Sequence, residues 1–296
     1  MLLHIKNPNK PDVFQLTTNR VTIVRTFIFW ALALVITLAA AVYQRTTGPT
    51  YPARGQVTIG GVAYDYELIR SQNGNTGAPI TIAIADPEVE GVLVYKRYNV
   101  NEDWTEVPLQ RSGDDLSGLL PHQPPAGKLE YYLRLYKGDQ LVTVPRDRVL
   151  VIRFKGNVPA WALIPHIFLM FAAMLISTRA GLEALLRDGR PRNYALWATA
   201  LLILGGMVMG PIVQKYAFGS FWTGVPFGWD LTDNKTLIAL IGWIIAVITG
   251  MKGRSARAYV VGAAILLLLI FSIPHSIMGS ELDYETGKVG TSGMGE

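Results

Sequence analysis

The chain contains no cysteine, and this absence removes several kinds of chemistry at once. Disulfides, thiolate metal sites and covalent c-type haem attachment all need cysteine sulfur. Charged residues are also scarce, at 17% of the chain, whereas apolar residues make up 50%. Such a chain is too apolar for an ordinary soluble domain and too charged for one that lies wholly in lipid. The composition therefore favours a protein with a membrane part and a water-exposed part.

The formal net charge of +5 is small for 296 residues, and its distribution is more informative than its size. Lysines and arginines gather at the ends of apolar runs instead of forming one basic patch. Such clustering is typical of membrane orientation signals. The pattern indicates a lipid bilayer as a partner and gives no indication of nucleic acid.

Five apolar runs are candidates for membrane-spanning helices. The first, residues 21–43, exceeds the roughly 20 residues that cross about 30 Å of hydrocarbon, and its apolar core is longer than that of a typical signal peptide. We therefore interpret it as an uncleaved anchor. The other four runs are residues 158–178, 194–213, 236–251 and 258–275. The run at 236–251 would cover only about 24 Å as a helix, so we expect it to extend into the preceding DLTDNK segment or to pack deep inside a bundle.

The positive-inside rule gives these spans a direction. The segments assigned to the cytoplasm carry most of the lysines and arginines near the spans: Lys6, Lys10, Arg20, Arg25, Arg179, Arg187, Arg190, Arg192, Lys252, Arg254 and Arg257. Residues 1–20 are then cytoplasmic, whereas residues 44–157, the loop 214–235 and the tail 276–296 are exported. This predicts an integral protein of the inner (plasma) membrane of a prokaryote, with its C-terminus periplasmic or extracellular.

The segment between residues 55 and 155 changes to short alternating runs such as QVTIGG, GVLVYKRY, KLEYYLRLY and RVLVIRF, separated by turn sequences such as NGNTG and PAGK. Many short strands at this spacing predict an antiparallel sandwich of about seven strands, with Trp104 in its core. The order of a strand, a tryptophan and a Tyr-Tyr strand also resembles fibronectin type III and immunoglobulin-like domains. That resemblance implies a fold and no particular activity. A docking or spacing role is the plain expectation, with a sugar-binding or peptide-binding groove as the alternative.

These patterns together predict a membrane α-helical bundle of five transmembrane helices with an inserted all-β immunoglobulin-like sandwich domain at residues 44–157. Four of the helices occupy residues 158–275, together with the outward loop 214–235. The tail at residues 276–296 ends in a run rich in glycine and serine, and we expect it to be flexible. The alternative is that its SELDYE segment folds back onto cations of the exported face.

Two of the four histidines, His166 and His275, fall in apolar spans directly after a proline. A histidine in a span is costly and usually faces a partner inside the bundle. Counted along the helices from Arg179 and from Arg257, both lie in the outer half of the bilayer. Two neutral imidazoles at one depth suit axial ligation of haem iron. In the alternative, His166 donates a hydrogen bond to a backbone carbonyl and His275 is an interfacial residue.

Between these histidines lies the segment FWTGVPFGWDLTDNKTLIALIGW, in which Trp222, Trp229 and Asp230 precede an apolar helix. It resembles the outward-facing tryptophan-rich (WWD-type) segment of the haem-handling membrane proteins of cytochrome c biogenesis. In that family the segment supports haem presentation and flanking outward histidines ligate the iron. The resemblance implies these roles for Trp222, Trp229 and Asp230 and for His166 and His275.

The same segment has plainer interpretations. Leu231 and Thr232 stand where that family usually has proline and lysine. The tryptophans are also typical of an interfacial aromatic belt, and Asp230 and Asp233 are typical of helix caps. A calcium site is disfavoured because two carboxylates and the amide of Asn234 supply too few oxygens.

The sequence thus predicts an integral membrane protein that binds non-covalent b-type haem. Its role would be haem delivery in cytochrome c assembly or electron transfer to an exported cytochrome. The partners expected are that cytochrome or other membrane-complex subunits, besides the lipid bilayer. No hydrolase or transferase signature is present, so an enzymatic activity is left open only as electron transfer or haem handling. The alternative is a non-catalytic membrane scaffold or accessory subunit whose exported β-sandwich binds a partner protein; a transporter is disfavoured because inverted repeats are lacking.

Overall fold

The computed structural model describes residues 13–249, 255–274 and 279–291. Six α-helices and one π-helical segment lie in these ranges. They are α1 Val13–Thr47, α2 Ala160–Ala184, α3 Arg192–Leu202, the π-helical segment Ile203–Met209, α4 Gly210–Phe218, α5 Leu231–Thr249 and α6 Ser255–Ser272.

Within the described ranges four helices are long and apolar enough to cross a membrane. They are Thr22–Thr47, Ala160–Ala184, Arg192–Phe218 and Leu231–Thr249. The third combines α3, the π-helical segment and α4 in one continuous rod. The apolar part of α6, Arg257–Ser272, is shorter. These helices give the chain the character of a membrane-embedded protein.

The helix α5 begins at Leu231, so the apolar run at 236–251 extends into the preceding DLTDNK segment, one of the two arrangements expected from the sequence. The reason is a local cap, because the side chain of Asp230 accepts hydrogen bonds from the backbone N–H groups of Thr232 and Asp233. The preceding helix α4 ends at Phe218, where Gly219 adopts a left-handed conformation with a φ of 86°. The loop between α4 and α5 is therefore residues 219–230, shorter at both ends than the predicted 214–235.

The helices pack through small side chains. α2 lies against α1, α3 and α6, and α5 lies against α3 and α6. Their shared core is rich in alanine and contains Trp243, which is fully buried. Small residues let helix backbones approach closely, which suits packing in lipid, where the hydrophobic effect does not hold helices together.

Eleven strands lie between α1 and α2, and they form three sheets among the described residues. The strands are β1 Ala53–Ile59, β2 Val62–Leu68, β3 Ser71–Asn73, β4 Ala78–Ala83, β5 Glu90–Arg97, β6 Thr105–Pro108, β7 Gln110–Ser112, β8 Asp115–Leu120, β9 Lys128–Lys137, β10 Gln140–Val144 and β11 Leu150–Lys155. The six-stranded sheet has the order β3-β11-β9-β5-β6, with β10 pairing β9. A second sheet has the order β4-β8-β7, and β1 pairs β2.

Residues of all three sheets form one apolar core. Buried and more exposed side chains alternate along β4 and β9, so one face of each strand lies against this core. Most pairs are antiparallel, but β3 and β11 are parallel. Trp104, which we expected in this core, lies at the surface and is 36% exposed. Its ring packs edge-on against Tyr132 at 5.3 Å between centroids, and Lys96 lies over it. The surface position leaves the core to aliphatic side chains, Tyr131 and Phe154.

The described part of the tail is a docked hairpin, which differs from the flexible tail expected for residues 276–296. β12 Ser280–Leu282 pairs with β13 Val289–Thr291. The N–H of Leu282 donates to the carbonyl of Ala126 at 3.1 Å, and the hydroxyl of Tyr284 donates to the carbonyl of Lys128 at 2.9 Å. Glu281 forms an ion pair with Lys128 at 2.5 Å. The alternative, in which SELDYE folds back onto a cation, describes this arrangement.

The strand region is joined to the helices at the end of β11. The N–H of Gly156 donates to the carbonyl of Ala217 in α4 at 2.9 Å. A Cβ at Gly156 would overlap the carbonyl oxygen of Tyr216, so this close approach requires glycine. The contact fixes the last strand against the helical part and creates the cavity described next.

Candidate functional site

A cavity of about 530 Å³ lies where β11, the hairpin strand β12, α2, α4 and the loop 219–230 meet. This volume falls within the range of about 300–1,000 Å³ that is usual for cofactor and small-molecule pockets. The polar residues among its lining are Asn73, Arg153, Lys155, Asn157, His166, Gln214, Trp222, Asp230, Thr232, Asp233, Thr236 and Ser280. Leu163, Ile167, Met170, Val213, Ala217 and Phe218 give it an apolar side.

His166 lies on the wall of this cavity, in the second turn of α2. Its Nδ1 is 2.9 Å from the carbonyl oxygen of Gly205 in the π-helical segment. A carbonyl oxygen only accepts, so Nδ1 carries the proton and Nε2 keeps its lone pair. A histidine held in this way has the arrangement usual for metal ligands, in which one nitrogen is oriented by a backbone carbonyl. The hydrogen bond anticipated in the alternative interpretation is therefore present, and it is equally compatible with ligation by the other nitrogen.

The π-helical segment brings its backbone close to α2 and α5 through two glycines. A Cβ on Gly205 would lie 2.9 Å from Cβ of Leu169, and one on Gly206 would lie 2.7 Å from Cγ2 of Thr236. Real Cβ atoms do not approach so closely without a shift of the neighbouring backbone. π-helical turns are frequent at functional sites. Here the turn places a carbonyl oxygen next to His166.

His166 also lines a second, smaller cavity of about 100 Å³ among α1, α2, α5 and α6. Ile167, Met170 and Thr236 separate the two spaces with it, since all four residues line both. Lys235 lines the smaller cavity, and its Nζ donates to the carbonyl of Ile273 at 2.8 Å. His166 therefore stands between two cavities, of which the larger carries more polar side chains.

Asp230 is 2% exposed, and both of its carboxylate oxygens are occupied by hydrogen bonds. Oδ1 caps α5, as described above. Oδ2 accepts from the hydroxyls of Thr223 at 3.1 Å and of Ser280 at 2.9 Å. One carboxylate thus connects the loop 219–230, α5 and the C-terminal hairpin.

Asp233 holds the other end of the loop. Its Oδ2 accepts from the backbone N–H groups of Thr223 at 2.7 Å and Gly224 at 3.1 Å, and from Nε2 of Gln214 at 3.0 Å. A Cβ on Gly224 would lie 2.7 Å from Oδ1 of Asn234 and from Cβ of Asp233, so the loop backbone lies directly on the first turn of α5. The loop is fixed by buried carboxylates and by backbone proximity.

The five residues singled out from the sequence do not all meet. His166, Trp222 and Asp230 line the same cavity. Nε1 of Trp222 donates to the carbonyl of Val225 at 3.1 Å. Trp229 lies on the surface with 61% of its side chain exposed, beside Phe227 at 81%. His275 lies outside the described residues.

Sequence reasoning missed four polar residues that other parts of the chain bring to the cavity: Arg153, Lys155, Gln214 and Ser280. It also missed Thr223, which bonds to the last two. Two of these residues could have been found from the sequence. Arg153 and Lys155 occupy alternate positions of β11 and therefore one face of that strand. In the orientation predicted from the sequence, these two basic residues directly before α2 depart from the positive-inside pattern, and that departure marks them.

The described residues include no group of three or more histidine, aspartate or glutamate side chains that could hold a metal ion. Three or more such side chains are needed when all the ligands of a metal ion are protein atoms. A haem iron takes its equatorial ligands from the macrocycle, so one or two histidines suffice. The apolar side of the cavity and the free Nε2 of His166 fit such a group.

Fold and cavity together define a membrane-embedded protein of mixed helix and sheet architecture with a pocket between its two parts. No protein-family model matches the chain, and no curated protein matches it.

Burial at the cavity wall has a measurable consequence for Lys155. Burial lowers its pKa to about 8, and the neighbouring charges of Arg153 and Arg45 act in the same direction. The unfolded chain then binds more protons than the folded chain between pH 8 and 10.5, so stability rises with pH across that window. We expect Lys155→Met to raise the thermal stability at pH 7, by on the order of 2 kcal/mol, and to flatten the rise between pH 8 and 10.

Thermal unfolding in detergent, followed by circular dichroism at several pH values, measures this difference. Lys288→Met is the control, because Lys288 lies exposed on the hairpin. The same pH profile for wild type and the Lys155 variant would contradict the expected burial penalty.

Proposed function

We propose that the protein is a membrane-embedded haem-binding protein that takes b-type haem without a covalent bond in the cavity beside His166. The observation that carries this proposal is the imidazole of His166. Its Nδ1 is fixed by Gly205, its Nε2 is left for a ligand, and it lies on the wall of a cavity of about 530 Å³. Haem delivery for cytochrome assembly and electron transfer to an exported cytochrome are the two roles that such a site serves.

Each residue has a definite part in this proposal. His166 would hold the iron, and His275, which follows Pro274, is the second ligand expected from the sequence. Trp222 supplies an aromatic wall of the cavity. Asp230 has a structural role, because its carboxylate oxygens fix the loop 219–230 and the start of α5. When bound, haem supplies one-electron redox chemistry, or is itself the cargo.

The finer architecture belongs to the same proposal. We take α6 as a fifth span, although its apolar part, Arg257–Ser272, would reach only about 24 Å. We take the strand region as an exported immunoglobulin-like domain in a prokaryotic inner membrane, with the N-terminus in the cytoplasm. Two observations support this orientation: the strand region joins the ends of α1 and α2, and the inner loops carry the lysines and arginines.

The visible spectrum of detergent-purified protein tests haem binding. We expect a Soret band in the wild type and at least about tenfold weaker haem binding in His166→Ala, since loss of an outer-shell partner alone costs about 10–100-fold in metal affinity. The combined His166→Ala, His275→Ala variant should lose the band. His122→Ala is the matched control, because His122 is exposed in the strand region. A band of wild-type position and intensity in the combined variant would overturn the proposal.

Delivery and electron transfer are then separated by a redox titration combined with a haem-transfer assay to an apo-cytochrome. Net transfer of haem from the protein identifies delivery. A reversible midpoint with retained haem identifies electron transfer.

A second function, a non-catalytic scaffold or accessory subunit, is favoured by one observation. The loop 219–230 presents exposed aromatic side chains, Phe221, Phe227 and Trp229, on a rigid base held by buried carboxylates. Such a surface suits a partner protein or the lipid interface. Absence of a Soret band in membranes supplied with haem would favour this function.

A further inference from the structure

Arg153 is a buried cation to which the proposed haem binding assigns no role. It is 4% exposed, lines the cavity, and lies 5.5 Å above the ring of Phe218. Among the described residues, its Nη1 has neither solvent contact nor a hydrogen-bond partner. A buried guanidinium nitrogen without a hydrogen-bond acceptor is costly, and native structures rarely keep one without a reason.

The carboxylates of this region are engaged with other groups. Asp230 and Asp233 accept hydrogen bonds from hydroxyl, amide and backbone donors. Glu281 is paired with Lys128. Burial lowers the pKa of Arg153, and the charges of Asp230 and Glu281 only partly oppose that effect. The structure thus keeps the arginine charge uncompensated by direct pairing within its described part.

Further positive charge surrounds Arg153. Lys155 follows it on the same face of β11 and lines the same cavity. Lys128 lies directly opposite Arg153 in the pairing of β11 with β9. Like charges at such positions destabilise a sheet. One of these cations, Lys128, has its own counter-ion, which leaves Arg153 and Lys155 facing the cavity together.

We infer that Arg153 and Lys155 form an anion-binding subsite, which takes a carboxylate or phosphate group of an amphipathic ligand. Arginine and lysine both bind such groups in charge-assisted hydrogen bonds, arginine in a bidentate manner. The apolar body of the ligand would lie against Leu163, Ile167 and Val213. For haem the acid groups are the propionates. The inference depends on the proposed function for that ligand's identity, and a membrane lipid phosphate is the other source of the same chemistry.

Two ligand pairs separate these sources on the full chain in non-ionic detergent. Haem and haem dimethyl ester differ only in the acid groups, and their binding is followed at the Soret band. A lysophosphatidate and the matching monoacylglycerol differ only in the phosphate, and their binding is followed by tryptophan fluorescence. If the subsite holds propionates, Arg153→Gln and Lys155→Gln each weaken haem binding about tenfold and leave the ester unaffected. If it holds a lipid phosphate, the same loss appears for lysophosphatidate alone.

Arg153→Lys keeps a cation at the site but loses the bidentate geometry, so it should recover part of the affinity that Arg153→Gln loses, and a variant that merely misfolds is recognised. Arg146→Gln, at an exposed arginine of the same region, is the control. If the wild type binds haem and its ester equally well and shows no phosphate-dependent lipid binding, the subsite is excluded while haem binding stands. If no Soret band forms but lysophosphatidate binds through Arg153, the subsite stands and the haem proposal fails.

Discussion

Asp230→Ala is expected to destabilise the protein by on the order of 3 kcal/mol. The variant removes the N-cap of α5, which costs about 0.5–2 kcal/mol. It also leaves the buried hydroxyl of Ser280 without its carboxylate acceptor, at about 1–3 kcal/mol for an unsatisfied group, whereas the hydroxyl of Thr223 keeps Asp233 as an acceptor. Thermal unfolding in detergent should show a melting temperature lower by roughly 5–10 °C.

Two further variants make this prediction specific. Asp230→Asn keeps a good capping side chain and one acceptor oxygen, so we expect a loss of about 1 kcal/mol. Asp139→Ala, at an exposed turn position, should change stability by less than about 0.5 kcal/mol. Similar melting temperatures for Asp230→Ala and Asp139→Ala would contradict the structural role. A fall in haem affinity without any change in melting temperature would instead assign Asp230 directly to the ligand.

Hydropathy locates the candidate membrane helices because a helix in lipid needs a nearly unbroken apolar run, and such a run can be recognised from neighbouring residues alone. Helix ends are decided by other means. α5 begins at its Asp230 cap inside a polar segment, and α4 ends at the left-handed Gly219. An average of hydropathy over a window detects neither the helix cap nor the left-handed glycine. The predicted loop 214–235 was therefore longer than the loop 219–230 in the structure.

Alternation along the chain predicts that strands are present, but pairing is a long-range property. The parallel pair of β3 and β11 joins Ser71–Asn73 to the last strand of the region. No local pattern marks it. The surface position of Trp104 has the same cause, since a short alternating run fits either face of a sheet until its neighbours are known.

Some residues of the cavity are marked by a local sequence pattern, whereas others are brought there only by the fold. His166 was found from the sequence because a polar side chain in an apolar run is a local anomaly. Ser280 was missed because it comes from a tail that looks flexible by composition. Arg153 was missed because its burial arises only when the strand region, the loop and the hairpin meet. The π-helical turn at Gly205 that orients His166 is equally invisible before the fold is known.

Glu281→Gln should destabilise the docked hairpin by about 3 kcal/mol. The side chains of Lys128 and Glu281 are only 8% and 13% exposed, and removing one partner of a buried ion pair costs about 3–5 kcal/mol. The penalty falls on Lys128, whose pKa burial already lowers and whose cross-strand neighbour is the cation Arg153. Thermal unfolding should report the loss, and hydrogen exchange at residues 280–291 should show faster opening of the hairpin.

The paired variant Lys128→Met, Glu281→Leu separates loss of the pair from loss of a side chain. Replacing both charges by apolar groups of similar volume is often neutral, so we expect stability within about 1 kcal/mol of wild type. Glu67→Gln, in an ion pair with Arg54 whose side chains are 57% and 52% exposed, is the control and should cost less than about 1 kcal/mol. A hairpin that opens no faster in Glu281→Gln than in Glu67→Gln would show that the ion pair does not hold it. In that case the hydrogen bonds of Ser280, Leu282 and Tyr284 would hold the hairpin in place.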